Sequence, residues 1–105
     1  MARITRFRTS GAFITLEINV KNDGKKNVIV CGGAQYAELS DQQTGDKWEP
    51  VNTGGAISGC DWVNVSEESG MWMQFKIPNP DKRAFLLKSK LFNQPVKNLV
   101  LGKPP

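Results

Sequence analysis

A chain of 105 residues, 39% hydrophobic and 23% charged, has room for one core and therefore for a single domain, 1–105. Its net charge is +4 with no histidine, which excludes Ser-His-Asp and Cys-His triads and the usual transition-metal sites. No apolar run approaches the roughly 20 residues that a membrane-spanning helix needs, so no membrane span is expected.

In chain order, residues 3 to 9 read as a first strand broken by Ser10 and Gly11. The clearest strand follows. Ile14, Leu16, Ile18 and Val20 alternate with Thr15, Glu17, Asn19 and Lys21, as a sheet with one buried face requires. Asn22-Asp23-Gly24 is a turn signal, and residues 28 to 31 form a continuous apolar run that a strand buried on both faces would show. Gly32 and Gly33 end it. Residues 36 to 39 and 48 to 51, separated by a polar loop, read as a hairpin. The glycine-rich stretch 52 to 59 reads as a long exposed loop, and 60 to 65 as a short strand with Trp62 in the core. Met71, Met73, Phe75 and Ile77 then alternate with Trp72, Gln74 and Lys76 until Pro78 and Pro80 stop the strand. A further alternation over 85 to 92 and a last strand over 96 to 101 complete the chain.

Seven to nine short strands with turns between them predict an all-β antiparallel sandwich, with a small open β-barrel as the alternative. The order of motifs carries a resemblance: Ile18-Asn19-Val20-Lys21-Asn22, then Leu39-Ser40-Asp41 with Gly45-Asp46-Lys47-Trp48, then Gln74-Phe75-Lys76-Ile77-Pro78, then a closing Pro95-Val96-Lys97-Asn98-Leu99-Val100-Leu101. Over residues 12 to 101 the chain resembles immunoglobulin-like domains of bacterial cell-envelope and lipoprotein contexts. The resemblance implies a non-catalytic interaction or accessory module that holds a protein partner through an edge strand or an aromatic patch. The start, Met1 to Thr5, has basic residues without an apolar segment behind them. The expectation is therefore a periplasmic or cell-surface location if a leader has been removed, and a cytoplasmic one otherwise.

Charge is unevenly placed. Residues 1 to 8 carry three arginines and residues 82 to 105 carry six basic residues, both without an acid, whereas 9 to 81 hold five lysines against all ten carboxylates. If the fold joins the first and last strands, one basic face results, suited to phosphate or acidic glycan; exposed lysines also keep strand edges soluble. Trp72 lies opposite the apolar face of its strand, and Trp48, Lys88, Lys90 and Phe92 complete a candidate binding set. Stacking tryptophans with a basic face define the alternative function, a carbohydrate- or nucleic-acid-binding module.

Cys31 and Cys60 allow a disulfide from sheet to sheet or from strand to loop, or two separate buried thiols. Catalytic residues, cofactors and metals are not expected. Asp46 with Glu49 and Glu67 with Glu68 are the nearest carboxylate pairs, and both read as solvated turn charge. Asp41, Asp46 and Asp61 lack the spacing of a calcium loop.

Overall fold

A computed structural model describes residues 1–103 of the protein. The alternating segments become antiparallel sheets because each has one apolar side to bury. Ten strands are formed among the described residues: β1 (Ala2–Ser10), β2 (Phe13–Lys21), β3 (Val28–Cys31), β4 (Ala37–Asp41), β5 (Lys47–Trp48), β6 (Asn52–Gly55), β7 (Cys60–Val63), β8 (Glu68–Phe75), β9 (Phe85–Ser89) and β10 (Val96–Leu99). They assemble as β1-β2-β8-β6, as β10-β9-β4-β5, and as a separate two-stranded ribbon, β3-β7. The fold is all-β and sandwich-like. Strand number exceeds the seven to nine expected, and β1 and β2 at nine residues each are not short. No helix among the described residues is long and apolar enough to cross a membrane.

The core forms where the inner faces of the two four-stranded sheets meet. Ile14, Leu16, Ile18 and Val20 of β2 and Met71, Met73 and Phe75 of β8 close against Leu39 of β4, Phe85 and Leu87 of β9 and Leu99 of β10. Phe85 sits at the centre, meeting Phe7 edge-on with centroids 5.9 Å apart and Trp48 at 6.0 Å. Such aromatic contacts add about 0.5–1.5 kcal/mol to the burial itself. Trp48 belongs to this packing.

The glycine-rich stretch corrects the sequence expectation. Asn52–Gly55 is the edge strand β6, paired with β8, rather than the start of a long loop. Its glycines fit because the neighbouring strand supplies the missing bulk. A Cβ on Gly54 would fall 2.4 Å from Cζ2 of Trp72, so the indole occupies the space that a side chain would take. Trp72 is half-buried for this reason.

First and last strands are not joined. β1 edges one four-stranded sheet and β10 the other, so the arginines of β1 and the lysines of the last strands are not brought together by strand pairing.

Candidate functional site

The β3-β7 ribbon is where sequence and structure diverge most. Val28 pairs with Val63, Ile29 with Trp62, Val30 with Asp61 and Cys31 with Cys60. One face carries Val30 and Val63 toward the core, and Val63 is buried there. The other face carries Ile29, Trp62 and the two cysteines. Trp62 is 64% exposed and Ile29 56%. The expectation of a core Trp62, and of a run buried on both faces at 28 to 31, is therefore overturned: among the described residues the ribbon pairs with neither four-stranded sheet, and Ile29 and Trp62 are left exposed on its outer side.

Cys31 and Cys60 are joined in a disulfide, S–S 2.09 Å, directly across the ribbon. It links two adjacent strands rather than sheet to sheet or strand to loop. Beside it stands Tyr36, whose hydroxyl lies 3.6 Å from the Cys60 sulfur. Tyr36 closes a 3-10 turn, Ala34–Tyr36, entered through Gly33 at φ 117°. Its carbonyl accepts from the Lys90 N–H at 3.2 Å, and the Lys90 ammonium sits 5.7 Å from its ring centroid.

From Tyr36 the surface sinks into an open depression of about 640 Å³, lined among others by Glu38, Lys47, Glu49, Lys88, Lys90 and Phe92. Three lysines face two glutamates. One ion pair is present, Lys47 to Glu38 at 3.9 Å, and it is too exposed to contribute more than about 1 kcal/mol. Phe92 also lines a second groove, of about 610 Å³, in which Ala2, Val28, Val30 and Leu91 stand beside Lys21, Asn22 and Asp23.

The structure thus brings Lys88, Lys90 and Phe92 together and joins them, through Tyr36 and the disulfide, to Trp62 and Ile29. Trp48 lies apart. Its ring packs on Phe85 and lies 5.7 Å from the Arg83 guanidinium. Trp72 also lies apart, on the outer face of β8. Sequence reasoning missed Ile29, Tyr36 and Trp62. The available signal was the equal register of 28 to 31 with 60 to 63 about one disulfide, which places residues 29 and 62 on the side of the sulfurs.

Three of the carboxylates, Asp41, Asp61 and Glu67, are engaged by neighbouring groups. Asp41 is buried, and its Oδ1 accepts from the N–H groups of Gln43 at 2.8 Å and Thr44 at 2.9 Å, while Oδ2 meets Arg83 at 3.2 Å. Those backbone donors, with Arg83 adding to them, hold its pKa below the usual carboxylate value. Asp61 accepts from the Ser58 N–H at 3.0 Å, and Glu67 from the Asn64 amide at 3.1 Å. Among the described residues no cluster of three or more metal-ligating side chains occurs. Comparison with protein-family models, with curated proteins and with solved structures finds no match.

Proposed function

We propose that the protein is a non-catalytic, immunoglobulin-like interaction module of the bacterial cell envelope, and that it holds a protein partner on the surface running from Trp62 to Phe92. One observation carries the reading: Trp62 and Ile29 stand side by side in solvent on a ribbon locked by a disulfide. A chain that buries Leu16, Leu39, Met73, Phe75, Phe85 and Leu87 fully has core enough not to leave a tryptophan outside for want of space. Exposed tryptophan is the residue that most often anchors an interface, and a rigid strand pair presents it with little entropy left to lose.

The same surface indicates the partner's chemistry. An apolar side chain would rest on Trp62 and Ile29, and acidic groups would meet Lys88, Lys90 and Lys47 across Tyr36. Among the described residues both outer edges of the ribbon are unpaired with other strands, so an extended segment can add main-chain hydrogen bonds to the side-chain contacts. A disulfide persists in oxidising surroundings, which supports a periplasmic or cell-surface location. The absence of histidine and the prior engagement of Asp41, Asp61 and Glu67 support a binding rather than a catalytic role.

Panning a displayed library of random peptides on the immobilised protein tests this. Enriched sequences should place an aliphatic or aromatic residue near Asp or Glu. Soluble wild-type protein should elute them, and soluble Trp62→Ala should not. No enrichment, or equal elution by the variant, contradicts the proposal.

A further inference from the structure

The sheet β1-β2-β8-β6 has an outer face that this docking surface does not use. Register sets its outward side chains in rows across the strands. Arg8, Thr15, Gln74 and Asn52 form one row, and Arg6, Glu17, Trp72 and Gly54 form the next; Arg3 opposite Asn19 begins a third. In the first row the Asn52 amide donates to Gln74 Oε1 at 3.1 Å and the Gln74 amide donates to Thr15 Oγ1 at 3.5 Å. In the second, Arg6 pairs with Glu17 at 3.0 Å and the half-buried indole covers Gly54. Arg3 and Arg8 make no ion pair among the described residues and are exposed.

We propose that this face binds an acidic polysaccharide. Guanidinium groups grip carboxylate and sulfate through parallel N–H donors. Side-chain amides and a threonine hydroxyl offer both donors and acceptors to sugar hydroxyls, and the solvent side of an indole accepts the apolar face of a sugar ring. Neighbouring strands lie about 4.8 Å apart, so the β8 strand of Trp72 and the β1 strand of Arg3 and Arg8, two strands away, are separated by roughly 10 Å. That span fits an extended polymer better than a single small anion. The disulfide argues for an oxidising compartment, where polysaccharides rather than nucleic acids are the polyanions at hand.

Titration with heparin, polygalacturonate, neutral dextran and a thymidine oligonucleotide tests the proposal; the first two separate sulfate from carboxylate recognition. At least one acidic polysaccharide should bind, and its affinity should fall roughly tenfold between 50 and 200 mM salt. It should shift the tryptophan emission in the wild type and not in Trp72→Phe. The double variant Arg3→Ser, Arg8→Ser should lose about tenfold or more in affinity with an unchanged melting temperature. Trp62→Ala should bind polysaccharide as the wild type does, which separates this face from the docking surface. The proposal fails if neither acidic polysaccharide binds tighter than about 1 mM, if the double variant binds normally, or if dextran or the oligonucleotide binds as tightly.

Discussion

Asn22 shows how much one side chain can fasten. It is buried, its amide donates to the carbonyls of Lys26 at 2.8 Å and Val63 at 2.9 Å, and its Oδ1 accepts from the Gly24 N–H at 2.9 Å. Its own carbonyl accepts from Ser66 and its N–H donates to Glu67. One residue thereby holds the end of β2, the loop into β3 and the end of β7. Asn22→Ala would strand two carbonyls and an N–H at about 1–3 kcal/mol for each group that water does not reach. Urea unfolding should show a loss of about 2 kcal/mol or more. Asp41 plays the corresponding part for the 41 to 46 loop, and its effect depends on pH. Its folded pKa lies below the ordinary value of 3.8, so its stabilisation is complete at pH above that value and is lost as pH falls through the lower folded pKa. The stability difference between wild type and Asp41→Asn should be constant near neutrality and shrink as the pH is taken below about 4.

Elements differ in what holds them. β2 and β8 lie at the centre of their sheet with apolar inner faces, and burial alone is enough to place them. β6 is an edge strand containing two glycines, a composition that weakens strands, and it depends on the Trp72 indole to fill the space above Gly54, a known remedy for glycine in sheets. Gly54→Ala should destabilise by about 1–3 kcal/mol because the new methyl meets ring atoms of the indole; a melting temperature equal to wild type would show that the indole moves aside freely. The ribbon depends on its disulfide. Closing a loop between cysteines 29 residues apart is worth about 3.5 kcal/mol by chain entropy. Replacing both cysteines with serine should lower the denaturation free energy by roughly that amount, and hydrogen exchange should rise first in β3 and β7.

At the scale of the whole molecule, legibility followed the number of buried faces. Strands with one face in the core announce themselves by alternation, as residues 14 to 20 and 71 to 77 did and as 85 to 92 did although that strand ends at Ser89, and the hairpin of β4 and β5 was marked by its polar loop. Alternation does not say how many strands a segment will pair with. Residues 28 to 31 are apolar throughout, which fits a doubly buried strand and equally fits a ribbon whose second apolar face is left in solvent. Lys88, Lys90 and Phe92 share one side of the 85 to 92 alternation and could be singled out from it, whereas the exposure of Trp62 could not be read from its own segment. β6 was misjudged because glycine content reflects local propensity, whereas its place in the sheet comes from Trp72, a residue 18 positions after Gly54.

The central claim is that Trp62 serves binding rather than folding, and it is tested most directly by measuring affinity and melting temperature together for the wild type and Trp62→Ala, with a selected peptide as ligand. Loss of a central tryptophan from an interface costs about 2 kcal/mol or more, a fall in affinity of roughly 30-fold. The account predicts that loss with a melting temperature within about 2 °C of wild type, as expected for an exposed side chain. Unchanged affinity, or a large fall in melting temperature, would contradict it.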